Sequence, residues 1–153
     1  MGKQATIRFL QDGAEQHAAF ELMRELRPHL IDADAFAQQV RRQAQQGYRL
    51  LGAFYGEQLI GLAGVRHSEN LLYGRFTYVD DLVVAPELRG LRVGAALLDA
   101  ARAEGLRCGH AHLVLDTGLH MPLAQRFYYR EGLLGKGMHF VQALPATEPQ
   151  RHG

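Results

Sequence analysis

The segment 86–98, which reads PELRGLRVGAALL, holds two arginines and two glycines between a β-branched run and a run of helix-forming residues. The guanidinium forks of Arg89 and Arg92 match the geometry of phosphate oxygens. Gly90 and Gly94 lack side chains, so an anion has room to approach the main chain there. This arginine–glycine segment matches neither of the two best-known phosphate-binding patterns. Its residue types nevertheless favour binding of a phosphate group, and a pyrophosphate has a suitable size.

The elements around the arginine–glycine segment decide whether it can hold an anion. The residue pattern predicts a strand that ends at Val84 and a helix that begins near Val93. The first N–H groups of a helix have no intrahelical partner and carry the positive end of the helix dipole. The candidate donors are the main-chain amides of Leu91, Arg92, Val93, Gly94 and Ala95. An ordinary strand-to-helix turn fits the same residues equally well, so both interpretations stand at this point.

The composition of the 153-residue chain narrows the class of protein. A formal net charge of +1 gives no basic field for nucleic acid. No apolar run approaches the roughly 20 residues of a membrane span, so we expect no membrane partner and a cytoplasmic protein. Cys108 is the sole cysteine, which excludes an internal disulfide and predicts a small buried side chain. Ser68 is the sole serine and lacks a G-x-S-x-G context, which argues against a serine hydrolase.

Hydrophobic periodicity and turn residues predict the element order β-α-α-β-β-β-α-β-α-β-β. Asp12 precedes the first helix, and Asp32 or Asp34 caps the second. The helix after the arginine–glycine segment is expected to stop at Gly105. Residues 133–144 are predicted to form a closing hairpin. The order predicts an α/β chain with mostly antiparallel strands and one βαβ crossover, which begins at the arginine–glycine segment.

The arginine–glycine segment resembles the acetyl-CoA signature R/Q-x-x-G-x-G/A of the GNAT (GCN5-related) N-acetyltransferases. Arg89, Val93 and Gly94 fit the signature, and the stretch LVVAPELRG resembles the strand and turn that lead into it. Arg92 stands where the family has its first glycine. Because any residue supplies a main-chain N–H at negative φ, we expect this departure to be tolerated.

A second motif carries the same resemblance. Residues 124–133, AQRFYYREGL, are similar to the family pattern A-x-x-F/L-Y-x-x-x-G-F/L. The resemblance implies that Tyr128 protonates the departing CoA thiolate and that Ala124 and Phe127 lie against the cofactor. Tyr129 is the less favoured acid, because it projects about 100° away around the same helix. Without the upstream segment, these aromatic residues would be interpreted as core.

The resemblance implies the GNAT acyl-CoA N-acyltransferase fold, a mixed and mostly antiparallel sheet with flanking helices and a splayed central strand pair. The splayed strands are those that hold Val84 and Leu113. The resemblance also implies acetyl-CoA as co-substrate and direct attack by a primary amine. A bulge at the end of the LVV stretch would leave an N–H group unpaired, and this group could polarise the thioester carbonyl. The implied cofactor-binding residues are Leu82, Val83, Val84, Arg89, Gly90, Leu91, Arg92, Val93, Gly94, Ala95, Ala124 and Phe127.

Removal of a proton from an ammonium acceptor requires a base or a water chain. Asp80 and Asp81 are the candidates, since they adjoin the strand end where the thioester would lie and resemble the acidic pair of polyamine acetyltransferases. Neighbouring residues of a strand face opposite sides, so we expect only one of them to point into the cleft. Asp80 shares the parity of Leu82 and Val84. Asp81 is expected to pair with an arginine outside the cleft.

The acidic pair favours a small, cationic amine as the acceptor, and within the family the chain looks most similar to the aminoalkylphosphonate type. Two alternatives stay open: acetylation of protein or peptide amines, and a non-catalytic acetyl-CoA sensor.

No metal is predicted, because His110 and His112 share a strand face but lack a third ligand at useful spacing. We predict one domain over residues 1–145 and a flexible tail over 146–153. A homodimer is compatible with the sequence.

Overall fold

A computed structural model describes residues 4–11 and 13–146. The chain divides into two units, Met1–Asp116 and Thr117–Gly153. The elements of the first unit are β1 (Thr6–Phe9), α1 (Ala14–Leu26), α2 (Ala33–Ala44), β2 (Tyr48–Tyr55), β3 (Gln58–Asn70), β4 (Gly74–Val84), α3 (Val93–Arg107) and β5 (Leu113–Leu115). The second unit contains α4 (Pro122–Arg130). None of these four helices combines the length and apolar character that crossing a bilayer requires.

The first unit is built on a five-stranded sheet in the order β1-β2-β3-β4-β5. The first three pairings are antiparallel, whereas β4 and β5 are parallel and are joined through α3. Gly56, with φ of 59°, supports the tight turn between β2 and β3. The structure therefore confirms the mixed, mostly antiparallel sheet with flanking helices and a single crossover.

The helices of the first unit cover both faces of the sheet. Leu62 of β3 packs in a buried cluster with Phe20 and Met23 of α1 and Phe36 of α2. Its neighbour Gly61 faces the other side, where a Cβ atom would meet side chains of α3. α1 and α2 thus lie on one face and α3 on the opposite face. β4, which both layers contact, is held from both sides.

The predicted closing hairpin is wrong for the described residues. Residues 133–146 form no strand, and Phe140, Val141 and Leu144 are 85%, 79% and 82% exposed. The alternation of apolar residues there is typical of a strand, but strand preference reflects packing against neighbouring strands, which these side chains do not have. The single domain over 1–145 stays a prediction. Of the predicted tail over 146–153, only residue 146 is among the described residues. Asp12, predicted to precede the first helix, also lies outside them.

Helix α3 continues past Gly105, where the sequence predicted its end. Gly105 lies against Thr77 of β4, and a Cβ atom there would approach the Thr77 hydroxyl to 2.7 Å. The glycine is therefore a packing residue between helix and strand. The chain leaves the helix at Cys108 and turns at Gly109, which has φ of 77°.

Arg92 has a backbone conformation that the sequence pattern does not predict. Its φ of 64° and ψ of 18° are left-handed, and it is the only described non-glycine residue with positive φ. In this region the Cβ atom of an L-residue crowds the following carbonyl oxygen. The expectation of a negative φ at this position was wrong. The turn favours a glycine, and Arg92 occupies it under strain.

This strain predicts an unusual stability difference between two matched substitutions. Arg92→Gly and Arg89→Gly remove the same side chain and add the same backbone freedom, but Arg89 has φ of −64°. We expect Arg92→Gly to be more stable than Arg89→Gly by about 1–2 kcal/mol, because only the first relieves left-handed strain. Urea unfolding of both variants measures the difference. Equal free energies of unfolding would contradict the strain.

Candidate active site

The N-terminus of α3 has the geometry of an anion site. No side chain caps the helix, and its first turn closes with the Ala96 N–H donating to the carbonyl oxygen of Arg92 at 3.0 Å. The N–H groups of Val93, Gly94 and Ala95 precede that bond and have no partner within the helix. Arg89 lies exposed just before them. The structure thus brings Arg89 and the N–H groups of Val93, Gly94 and Ala95 together at one helix end. The Leu91 N–H, also predicted as a free donor, instead donates to the carbonyl oxygen of Leu88 at 3.4 Å.

Strand β4 has an open edge immediately before this helix end. Its pairing with β5 covers only Thr77 to Val79, so beyond Val79 no described strand pairs with that edge. The Ala85 N–H donates to the carbonyl oxygen of Ile60 in β3 at 2.8 Å. Because ladder bonds alternate along an antiparallel pair, the N–H groups of Leu82 and Val84 point to the open edge. The loss of pairing agrees with the predicted splayed strand pair.

A β-bulge at Asp80 alters the expected orientation of the acidic pair. Gly64 lies opposite Asp81 and Val65 lies opposite Val79, so Asp80 is an extra residue in β4. At a bulge two residues of one strand oppose one residue of the other, and the simple alternation of faces is lost. Asp80 and Asp81 therefore line the same cavity. The prediction that only one points into the cleft was wrong. The bulge also lies before the LVV stretch and not at its end, where it was predicted.

The acidic pair opens into a cavity of about 340 Å³ between the sheet and helices α1 and α2. Its apolar wall includes Met23 and Phe36. Its polar wall combines positive and negative groups. The ionisable side chains are Arg27, His29, Tyr48, Arg66, Asp80 and Asp81.

Asp81 is held by three donors. Arg27 donates from Nε at 3.2 Å and from Nη2 at 3.0 Å to the same carboxylate oxygen. The hydroxyl of Tyr48 donates to the other oxygen at 2.7 Å. Burial and the nearby negative charge of Asp81 raise the pKa of Tyr48, so this phenol keeps its proton. Gly64 makes the contact possible, because a Cβ atom there would overlap the Tyr48 hydroxyl.

Asp80 is held by Arg66 of β3. Arg66 Nη2 and Nε donate to Asp80 Oδ2 at 3.0 and 3.3 Å, and Nε lies 3.2 Å from Oδ1. Arg27 also donates from Nη2 to the Asp80 carbonyl oxygen at 3.0 Å. Asp81 was expected to pair with an arginine outside the cleft, but both aspartates pair with arginines inside the cavity. The cavity is therefore a set of alternating charges and not a purely acidic patch.

Sequence reasoning missed the partners of the acidic pair. Arg27 follows directly after α1, and its sequence neighbours do not mark it as a site residue. Tyr48 and Arg66 are opposite each other across the β2–β3 hairpin. A regular hairpin with the two-residue turn at Gly56 would place Tyr48 opposite Val65, the neighbour of Arg66. The irregularity near Ala53 shifts the register by one residue, so Tyr48 lies opposite Arg66. The contact of Tyr78 was missed as well. This residue lies on β4 two positions before Asp80, and its hydroxyl donates to the carboxylate of Asp116, which follows β5.

The second unit carries the other motif on α4. Pro122 occupies the first turn of the helix, where its missing N–H costs nothing. The rings of Phe127 and Tyr128 pack edge to face with centroids 5.3 Å apart. Tyr128 is half-buried, and burial raises its pKa, so its hydroxyl is protonated at neutral pH. Tyr129 is 59% exposed. The roles of Ala124, Phe127 and Tyr128 stay predictions.

A curated protein has a similar sequence. An aminoalkylphosphonate N-acetyltransferase of Salmonella typhimurium is 31% identical over 98 residues, which are 63% of this chain. The chain matches 62% of the length of that curated relative.

Solved structures share the fold at low sequence identity. An aminoglycoside N-acetyltransferase in complex with CoA has a TM-score of 0.84 and 16% identity, covering 95% of this chain and 98% of that chain. An acetyltransferase of Trypanosoma brucei has a TM-score of 0.75 and 18% identity, covering 92% of this chain and 99% of that chain. The sequence model of the acetyltransferase (GNAT) family matches residues 14–133, from the start of α1 to beyond α4. Because this match spans most of the sequence, the chain belongs to the acetyltransferase (GNAT) family.

Proposed function

We propose that this chain transfers the acetyl group of acetyl-CoA to a primary amine of a small molecule. The observation that carries the proposal is the course of strand β4. The strand passes the charged cavity at Asp80 and Asp81, exposes an open edge at Leu82 to Val84, and leads into the uncapped end of α3. An acceptor site, a thioester site and an anion site thus follow one another along one stretch of chain.

Acetyl-CoA would use the last two of these sites. The N–H groups of Val93, Gly94 and Ala95, with Arg89 beside them, would bind the pyrophosphate. The open edge of β4 would accept the pantetheine arm as an added strand partner, through the main chain of Leu82 to Val84. This arrangement would place the thioester next to the cavity, because the acidic pair directly precedes that edge.

The reaction would proceed by attack of the neutral amine on the thioester carbonyl carbon. A C–N bond forms, the C–S bond breaks, and the carbonyl oxygen carries negative charge in between. The N–H groups of Leu82 and Val84 are the donors available to stabilise that charge. The amine proton passes to Asp80, Asp81 or a water that they hold, and Tyr128 supplies the proton of the departing thiolate.

The cavity favours direct transfer over an acyl-enzyme. Its lining, which consists of described residues, contains no serine, cysteine or lysine. Cys108 lies at the far end of α3, about 20 Å from the helix N-terminus for a helix of this length. The amine itself is then the nucleophile that meets the thioester.

The charges of the cavity favour an acceptor that carries both signs. The aspartates would receive the ammonium group, and Arg27 with His29 would receive an anionic group. A volume of about 340 Å³ suits a small molecule and lies at the low end of ligand pockets. The Salmonella typhimurium relative is named for aminoalkylphosphonates, which have an amine and an acidic phosphonate. We therefore propose a short zwitterionic amine, with aminoalkylphosphonates as the first class to test.

Arg27 is expected to set the preference for the anionic group. We predict that an aminoalkylphosphonate reacts with a higher kcat/KM than a neutral alkylamine of equal length. Arg27→Gln should reduce that preference by about 10–100-fold, mainly through the KM of the phosphonate, because it removes a charged, forked donor. Release of free thiol from acetyl-CoA measures both substrates.

Arg24→Gln is the matched control, since Arg24 is an exposed arginine in the last turn of α1, three residues before Arg27. It should leave the preference unchanged. Equal kcat/KM for the two amines in the wild-type protein would contradict a zwitterionic acceptor. Turnover of peptide amines with no turnover of either small amine would support protein acetylation instead.

Tyr128 is expected to act as the acid. Tyr128→Phe should lower kcat by about 100-fold or more, with little change in the affinity for acetyl-CoA, because the variant loses only the proton donor. Steady-state thiol release gives kcat, and thermal stabilisation by CoA reports binding.

Tyr129→Phe removes the same atom from the next residue and should leave kcat unchanged. Equal effects of the two substitutions would contradict the assignment of the acid. Stabilisation by CoA without thiol release for any amine would contradict catalysis and support a sensor.

A further inference from the structure

Three side chains of metal-ligand type meet at the C-terminal end of α3, away from the proposed active site. Glu104 and Cys108 project from one face of the helix, one turn apart, and His67 reaches them from β3. His67 Nε2 lies 3.9 Å from Glu104 Oε1 and 3.9 Å from Cys108 Sγ. Cys108 Sγ lies 3.7 Å from Glu104 Oε1. The three atoms thus form a nearly equilateral triangle.

The size of this triangle suits a bound metal ion. The centre of a triangle with these sides lies about 2.2 Å from each corner, whereas zinc bonds sulfur at about 2.3 Å, imidazole nitrogen at about 2.0–2.1 Å and carboxylate oxygen at about 2.0–2.2 Å. An ion could therefore contact all three atoms with little movement of the main chain. The open side of the triangle leaves a position for water as a fourth ligand.

The surroundings give the cluster both support and access. The Glu104 side chain is only 10% exposed, whereas that of His67 is 37% exposed. The ring of buried His110 packs edge to face on His67 with centroids 5.0 Å apart. The Nδ1 atom of His110 lies 2.8 Å from the hydroxyl oxygen of Thr77. His110, held by Thr77, thus orients the ring of His67, and solvent reaches the cluster from the side of His67.

We propose that His67, Glu104 and Cys108 form a binding site for a divalent transition-metal ion, with zinc as the expected occupant. A thiolate, an imidazole and a carboxylate together are a donor set that suits zinc and disfavours magnesium or calcium, which prefer oxygen alone. The negative end of the α3 dipole adds to the attraction for a cation. On binding, the Cys108 thiol releases its proton and the ion links β3 to the end of α3.

Arg107 is the competitor for this site. Its guanidinium donates to Glu104 at 3.0 and 2.5 Å and lies 3.6 Å from Cys108 Sγ. The Arg107 side chain is 66% exposed, so it can move into solvent when an ion takes its place. Removal of this cation should strengthen metal binding.

Cobalt is the most direct probe, because Cys108 is the sole cysteine. A thiolate-to-cobalt charge-transfer band can therefore arise only from this residue. We expect the full-length protein, after treatment with a chelator, to develop this band up to one Co²⁺ per chain, and Zn²⁺ to displace it. His67→Gln should weaken Co²⁺ affinity by about tenfold or more, since loss of even an outer-layer partner of a metal ligand costs 10–100-fold.

His17→Gln is the matched control, because His17 is an exposed histidine on α1. It should bind Co²⁺ like the wild type, and Arg107→Gln should bind it more tightly. Glu104→Gln repeats the test on a second ligand, and circular dichroism verifies its fold. Absence of the band in the wild type, or identical titrations of His67→Gln and His17→Gln, would overturn the proposal. Neither outcome depends on acetyl transfer.

Discussion

The loss of regular pairing along β4 is the constraint on which the rest of the first unit depends. The bulge at Asp80 sits where pairing with β5 has just ended, and from there the strand keeps only one partner. The bulge in the pairing with β3 turns two adjacent carboxylates toward one cavity. The end of the pairing with β5 leaves the N–H groups of Leu82 and Val84 available to a ligand. Regular pairing on both edges would have hidden one aspartate and consumed these amides.

The charged cavity is stabilised by mutual pairing. Each aspartate has an arginine partner, and the phenol of Tyr48 completes the contacts of Asp81. Partly buried charges are costly unless paired, so these contacts keep the cavity polar without a net charge. A ligand with both charges could replace these pairs, with its cation binding an aspartate and its anion binding an arginine. An acceptor with only positive charge would leave the arginines without compensation.

Helix α3 connects the two proposed binding sites, one for an anion and one for a cation. Its first turn presents free N–H groups and the positive end of the helix dipole, which suit the phosphates of a nucleotide cofactor. Its last turn presents Glu104 and Cys108 at the negative end, which suits a cation. Gly105 and the small residues of the helix let it approach the sheet closely between the two. An ion bound at the C-terminal end would link α3 to β3 and so limit movement of the helix whose first turn carries the proposed anion site.

Short-range patterns in the sequence determined the order of elements through α4, the mixed sheet and both motifs, because strand alternation, helix periodicity and turn residues act over a few neighbours. They also led us to expect the arginine–glycine segment at the start of α3 and the acidic pair on β4, and the structure has both there. Only the tertiary structure decided which way Asp80 faces, that Arg92 is left-handed, and which arginines meet the aspartates. It also brought His67 to Glu104 and left the last predicted hairpin without a partner. These features depend on strand register and on contacts between segments distant in the chain, and no local pattern encodes them.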